Sequence, residues 1–385
     1  MSSIENPLKI LLLGDASNCH RTLAGALRSM GHNVILASNG SGWMETERDI
    51  DISRAPGTFS GAWLWTRLNT MKWRRFTGYD IVVVSNPNFL DLKPHRTQHF
   101  FNFIRRHNRS VFLTALGTDI PFLDLCNDPD TPLRYSEWKI GDRPAPLPLA
   151  DPDALTRWHT APMQRLNNAV YQNIDGAVSV LYEYDLALRR VLPSRSIAYG
   201  GIPIDTAAIT PVYIPDRPDR VRFFIGIQQD RQFVKGTDRL LAAAKKILEK
   251  YPQKATLDVV SNLPYSVYID RMRSAHVVLD QLYSYTPATN ALLAMAMGLS
   301  AFSGNEPEYY NFIGENELHP VIGCYPDDEM IFNTLENIVL HPENLSILGR
   351  QGRQFVMRHN DSHIVAHRFL NFWKKKIDIP TNTLS

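Results

Sequence analysis

Short, wholly apolar runs alternate with longer amphipathic segments along most of the chain. Residues 9–13 (KILLL), 33–36 (NVIL), 80–86 (DIVVVSN), 110–116 (SVFLTAL) and 176–180 are apolar on both faces, as in strands of a sheet covered on both sides. Between them lie segments with helical spacing. Residues 18–30 carry Leu23, Ala26 and Leu27 on one face and stop at Gly31, and 98–107 and 154–172 also read as helices. Residues 194–205 read as a last short strand and turn. A second series follows: a strand at 221–227, and a helix at 239–250 with Leu240, Leu241, Ala244, Ile247 and Leu248 in one stripe. Strands at 256–260, 277–279 and 300–303 come next, then the apolar residues 320–322 and helices at 328–340, 345–358 and 364–377. This alternation predicts an α/β chain of two doubly wound, Rossmann-like halves facing across a cleft.

Ligands of such sheets sit at the carboxyl ends of the strands, so polar residues there are the candidates. The most organised stretch is 276–298. Its apolar run closes on Asp280 and Gln281, a polar turn holds Pro287, and a small-residue helix stops at Gly298. Thr286, Thr289 and Asn290 fall at that helix start, where free amides and the positive dipole end suit a phosphate or diphosphate. The plainer reading is a buried helix in which Ala291, Leu292, Ala294, Met295 and Met297 only pack. The loop 304–308 brings Glu306 and Glu308 to the next strand end, as displaced carboxylates or as surface charges. In the first half, the turn Gly14-Asp15-Ala16-Ser17-Asn18 is not GxGxxG, which argues against a nicotinamide or flavin role. Asp15, Ser17, Asn18 and His20 are placed to face a ligand; His20 alone is more simply a satisfied helix-start histidine. Gly117-Thr118-Asp119 presents amides and a carboxylate to the cleft, or Asp119 caps the next helix.

The Pro-rich residues 210–220 read as a linker. They divide the chain into 1–209, 221–360 and a C-terminal helix and tail at 361–385. Length agrees, since 385 residues suit about two domains. Residues 127–153 are rich in proline and charge and read as a lid or substrate loop. Hydrophobic content of 44% and charged content of 21% are ordinary, and a net charge of +2 gives no drive toward nucleic acid. Three scattered cysteines without a CxxC pair oppose a disulfide framework or zinc site and fit a reducing cytoplasm. The polar start MSSIENP and the short first apolar run do not form a signal segment, and no window reaches a membrane-spanning length. Residues 59–76 interleave Trp63, Trp65, Leu68, Met71, Trp73 and Phe76 with Arg67, Lys72, Arg74 and Arg75. Such a helix either lies in a membrane interface or packs on its own domain with solvated charges. The expected location is the cytoplasm, with 59–76 as a contact to the inner face of a membrane.

The order of these motifs resembles the retaining nucleotide-sugar glycosyltransferases of the GT-B architecture (group 1, family 4-like). The residues that carry it are KGTDRLLAAAKKI, DQLYSYTPATNALLAMAMGLSAFSGNEPEYY, LGRQGRQFVMRHND, YGGIPID and LGTDI. The resemblance implies a hexosyltransferase moving sugar from a nucleotide-diphosphate donor to a glycan or lipid-linked acceptor with retention of configuration. It implies a C-terminal helix packing back toward the first half. Lys235 would hold the diphosphate and act in catalysis with Asp119; Gly226, Arg231, Gly236, Tyr285, Thr286, Thr289, Asn290, Glu306 and Glu308 would line the donor side. Gly14, Asp15, Ser17, Asn18, His20, Gly117 and Thr118 would line the acceptor side. No metal or other cofactor is expected. The chain departs from the pattern where the family commonly carries two glutamates: here stand Tyr285 and Leu293, and Ile227 replaces an arginine for which Arg231 substitutes. A binding or scaffold protein on this fold, assisting a partner transferase, is therefore the second reading, and a nucleotide-sugar epimerase the third.

Overall fold

The computed structural model describes residues 6–377. Strands of the first half are β1 (Lys9–Leu13), β2 (Asn33–Ser38), β3 (Ile50–Asp51), β4 (Ile81–Val84), β5 (Ser110–Ala115), β6 (Lys139–Ile140), β7 (Arg143–Pro144), β8 (Gly176–Ser179) and β9 (Ile197–Tyr199). All but β6 and β7 form a parallel sheet in the order β3-β2-β1-β4-β5-β8-β9. The second sheet, also parallel, joins β10 (Val221–Gly226), β11 (Ala255–Val260), β12 (Val277–Leu279) and β13 (Ser300–Phe302) in the order β11-β10-β12-β13. Central strands β4, β5 and β8 are buried at every position, which is why they read as unbroken apolar runs.

The chain steps from β1 outward to β2 and β3, then returns to β4 on the other side of β1. Strand order therefore reverses between β1 and β4, and in the second sheet between β10 and β12. Crevices open at such reversals, where successive connections leave on opposite faces of the sheet. The carboxyl ends of the two sheets face each other: Tyr182, just beyond β8, donates its backbone N–H to Thr286 Oγ1, beyond β12, at 3.0 Å.

The helix Ser362–Ile377 returns to the first half, burying Val365, Ala366, Phe369, Leu370 and Trp373. Trp373 lies against Phe112 of β5, ring centroids 6.1 Å apart, and Phe369 packs on Trp373 at 5.4 Å. One apolar core thus runs from the first sheet through this helix into the second.

Several boundaries differ from the sequence reading. The segment 154–172 is two helices, Ala154–Trp158 and Ala161–Tyr171, because Pro162 starts a new helix and cannot continue an old one. The helix expected at 98–107 begins at Pro94, again with proline in the first turn. Residues 320–322 make only a single bridge, Ile322 with Phe302. Residues 127–153 are a built strap, with the β6-β7 hairpin, the short helix Pro146–Ala150, and Leu133, Tyr135 and Trp138 buried. Residues 210–220 hold no helix or strand, but Ile214 anchors them in the core. Of the segment read as 361–385, residues 378–385 lie outside the described residues, as does the start of the polar N-terminus. No described helix is long and apolar enough to cross a membrane.

Because Trp373 is fully buried where the terminal helix meets the first sheet, Trp373→Ala should cost about 3–5 kcal/mol, as large-to-small core changes do. Denaturant melting of the full chain measures it; a loss under about 1 kcal/mol would mean the helix is peripheral to the fold.

Candidate functional site

At the first strand-order reversal, Gly14 has φ +83°, and a Cβ there would come 2.1 Å from Ser85 Oγ at the end of β4. Only glycine lets β1 turn so close to its neighbour. The Asp15 carboxylate accepts the N–H groups of His20 (2.8 Å) and Arg21 (3.3 Å), taking the capping role for the helix Cys19–Ser29. Burial pushes its carboxyl up to about 6, against the pull of those amide bonds. Ser17 and Asn18 both hold left-handed backbone, at φ 53° and 63°, a costly arrangement for two successive non-glycine residues. The Asn18 side-chain oxygen is buried without a donor. Gly117 turns at φ +85°, and Asn86 Nδ2 donates to the carbonyls of Leu116 and Thr118 at 3.3 and 3.1 Å, fixing the β5 end.

Two first-half candidates are scaffold. His20 is fully buried: its Nδ1–H donates to the Gly14 carbonyl at 2.7 Å, and Nε2 accepts from the Thr114 hydroxyl at 3.0 Å. Burial lowers its pKa to about 4, so the ring is neutral and bolts β1 to β5. Asp119 caps the helix Ile120–Asn127, accepting from the Phe122 N–H at 3.0 Å and from the Tyr171 hydroxyl. Its carboxyl is pushed up to about 6 by burial. Both oxygens are engaged, as the capping alternative expects.

At the second reversal, Gly226 closes β10 against the Tyr268 ring. The turn Lys235-Gly236 follows, with Gly236 at φ +71° and no room for a Cβ beside Leu282 and Tyr283. The Leu282 N–H donates to the Lys235 carbonyl at 2.8 Å, which ties this turn to the β12 end. Lys235 Nζ lies 3.4 Å from Asp280 Oδ1, and Ser303 Oγ donates to Asp280 Oδ2 at 3.2 Å. The Asp280 side chain is fully buried while Lys235 is 18% exposed. The carboxylate therefore holds the ammonium at the strand ends with donors to spare for an anion. The helix Thr289–Ala296 begins without a side-chain cap or an acidic first turn. Among the described residues the N–H groups of Thr289, Asn290 and Ala291 have no acceptor, and Thr289 and Asn290 are half-buried. Arg231 is exposed on the loop between β10 and Lys235.

The other second-half candidates are spent on contacts between the halves. Thr286 donates to Glu183 Oε2 at 2.7 Å and Ser284 to Glu183 Oε1 at 2.6 Å. Tyr285 is 1% exposed, its hydroxyl accepting the Arg134 N–H and its ring packed on Tyr135. The Arg134 guanidinium pairs with Glu306 and Glu308, and the Tyr135 hydroxyl also donates to Glu306. These carboxylates latch the strap onto the second half; Glu308 does so through Oε2 alone and stays 40% exposed.

Sequence reasoning missed Glu183, Arg134, Tyr135 and the partner role of Asp280. The signal for Glu183 was present: it stands directly beyond the apolar run 176–180, the position used for every other strand-end candidate. A cavity of about 460 Å³ lies elsewhere, lined by Arg21, Arg28, Asp49 and His363 and by none of the expected site residues. Its basic groups are already paired, Arg28 with Asp49 at 2.5 Å and Arg21 with Glu47 at 3.6 Å, so the strand ends remain the stronger site. No group of three or more His, Cys, Asp and Glu able to hold a metal occurs among the described residues.

No family model matches the chain. No curated protein matches it in sequence. Solved structures do match. Sucrose-phosphate synthase from Thermosynechococcus elongatus is 12% identical, with 95% of this chain and 98% of that chain covered at TM-score 0.62. Anabaena HepE in complex with UDP and glucose is 8% identical over 95% of this chain and 99% of that one, TM-score 0.60. A putative UDP-N-acetylglucosamine 2-epimerase from Listeria monocytogenes is 10% identical over 95% of each chain, TM-score 0.54. The likeness establishes the fold: this chain has the two-domain GT-B architecture.

If Asp119 is a cap, Asp119→Ala should lower stability by about 0.5–2 kcal/mol and leave ligand binding at the Lys235 crevice intact. Urea melts with and without ligand separate the two effects; loss of the ligand response at unchanged stability would restore a direct role.

Proposed function

We propose that the chain transfers a hexose from a nucleotide-diphosphate sugar to a hydroxyl of a glycan or lipid-linked acceptor, with retention of anomeric configuration. The observation that carries this reading is Lys235, held by buried Asp280 at the β10-β12 reversal, beside a helix whose first amides are unused. A departing diphosphate gains negative charge as its bond to the sugar breaks. A fixed ammonium and a helix N-terminus in a crevice stabilise that charge without reorganising, and preorganised electrostatics of this kind commonly lower the barrier more than any other effect. The acceptor enters from the β1-β4 reversal, past Gly14, Asp15 and the strained pair Ser17-Asn18. Likeness to HepE in complex with UDP and glucose, and to the putative UDP-N-acetylglucosamine 2-epimerase, supports a nucleotide-sugar ligand in general.

A membrane-borne acceptor fits the outer face of the helix Thr58–Arg75. Leu64 and Leu68 are its buried anchors. Phe59 (93% exposed), Trp63 (66%) and Trp73 (62%) project outward, with Lys72, Arg74 and Arg75 in the last turn. Aromatic rings beside basic groups suit an anionic lipid interface, and we assign this face to the cytoplasmic leaflet.

A thermal-shift panel of nucleotide-diphosphate sugars tests the donor site. A true donor at 100 times its Kd should add about 2.7 kcal/mol of stability. Lys235→Gln, which keeps a hydrogen-bond donor for Asp280, should abolish that gain; a gain equal to wild type would end the diphosphate role. On liposomes rich in anionic lipid, the wild type should sediment and the triple change Phe59→Ser, Trp63→Ser, Trp73→Ser should not. Wild type left in the supernatant would remove the membrane assignment while leaving the transferase reading in place.

A further inference from the structure

A second polar hollow lies apart from the Lys235 crevice: the cavity of about 460 Å³ beside the helix Cys19–Ser29. Its size falls within the roughly 300–1,000 Å³ of small-molecule sites. The lining begins at Arg21, whose backbone N–H is held by Asp15 at 3.3 Å, next to the acceptor-side turn. It runs to Asp205 and His363, where the chain crosses between the halves and Ser29 Oγ lies 2.8 Å from His363 Nε2. From Arg21 to Arg28 is roughly 10 Å of helix, room for more than one sugar ring.

Part of this wall is bare backbone. Gly25 stands in the helix interior, where glycine is a poorer choice than alanine, and a Cβ there would meet nothing within 4 Å. The fold has no steric reason for this glycine. A ligand lying against the helix would supply one, because only glycine lets it approach the backbone so closely.

The charges of the lining select the ligand. Arg21, Arg28 and Arg48 share the cavity with Glu47, Asp49 and Asp205, three cations with three anions. A phosphate would be repelled by the carboxylates, and a metal ion by the guanidinium groups. Arg28 donates Nε and Nη2 to the Val34 carbonyl at 3.1 and 2.9 Å, and Nη2 also to Asp49 Oδ2 at 2.5 Å. Among the described residues Arg28 Nη1 has no acceptor, and Asp49 Oδ1 and Asp205 Oδ2 have no donor. Arg21 makes a long pair, 3.6 Å, with Glu47, whose side chain is almost wholly in solvent. Such a pair is weak and yields readily to a ligand. A hydroxyl both donates and accepts, so a neutral ring of hydroxyls matches donors and acceptors set side by side.

We propose that this cavity binds a neutral saccharide and holds the body of a glycan acceptor whose end reaches the β1-β4 reversal. The site stands on the cavity itself; its acceptor role rests on the glycosyl-transfer reading above. The acceptor is then a glycan of two or more sugars, whether or not a lipid carries it.

The labelled full chain on a printed array of neutral and anionic glycans tests the site. Wild type should bind neutral glycans. Gly25→Leu fills the cavity from the helix and should drop the signal to background, while melting no lower than wild type, since leucine suits a helix better than glycine. Arg21→Ala should weaken binding about 10-fold, the worth of one charge-assisted hydrogen bond. Lys235→Gln should bind the array as wild type does, and both cavity variants should keep the donor-induced midpoint shift. A wild type dark on the array overturns the site, as does undiminished binding by Gly25→Leu. Binding confined to anionic glycans overturns it too, and makes the cavity an anion site. Signal lost in Lys235→Gln and kept in Gly25→Leu puts the sugar in the donor crevice and ends the proposal. A chain that binds glycans through Gly25 but responds to no donor overturns the transfer reading, and the acceptor role with it, while upholding the saccharide site.

Discussion

The arrangement of this protein depends on one buried carboxylate. Glu183 follows β8 in the first half and accepts hydroxyl protons from Ser284 and Thr286, which follow β12 in the second. Its carboxyl is raised chiefly by burial, and the hydroxyls of Ser284 and Thr286 partly offset that. A carboxylate out of water is tolerated only when its oxygens are occupied, so the clamp forms when both strand ends arrive together. It fixes the distance between two crevices that would otherwise be joined by the 210–220 segment and the returning C-terminal helix. The strap adds a second tie, Arg134 and Tyr135 on Glu306, nearer the rim where Arg134 is half exposed and the ion pair correspondingly weaker.

With these ties counted, the polar residues at the strand ends fall into two groups. His20, Asp119, Tyr285, Thr286, Glu183 and Glu306 have partners for their polar atoms within the chain and hold the fold in place. Lys235 with donors to spare, the first amides of Thr289–Ala296 and the lone oxygen of Asn18 are what remains. Asp280 belongs to both groups. It pairs with Lys235, so the ammonium can stay in a partly dry place.

Much of the fold was legible because parallel strands covered on both faces leave apolar runs too short for anything else, and because the helices between them keep their stripes. The break in 154–172 was written at Pro162 and passed over. The strap was not legible. Its strands are two residues each, without periodicity, and its order comes from Arg134 meeting Glu306, 172 positions away. The site was legible as a set of strand ends and less so as individual residues. Sequence shows that Asp119 or Thr286 stands beyond a strand; whether the side chain turns to the cleft or to a helix amide is decided by neighbours such as Phe122 and Glu183. Lys235 differs because an ammonium in a Lys-Gly turn has few ways to be buried, so its direction is nearly fixed by charge alone.

The architecture by itself does not choose a reaction, since a sucrose-phosphate synthase and a putative 2-epimerase match this chain about equally in extent. The choice lies in which side chains stay unengaged. Moving a proton on and off a sugar carbon asks for an acid and a base on opposed sides of the ring, and most of the carboxylates at these strand ends are already engaged: Asp15, Asp119, Glu183, Asp280 and Glu306 all accept hydrogen bonds from within the fold. Parting a sugar from a diphosphate asks for positive charge where the leaving group emerges. A cation with spare donors and a bare helix start meet that requirement, which is why the proposed reading is transfer and not rearrangement of the sugar.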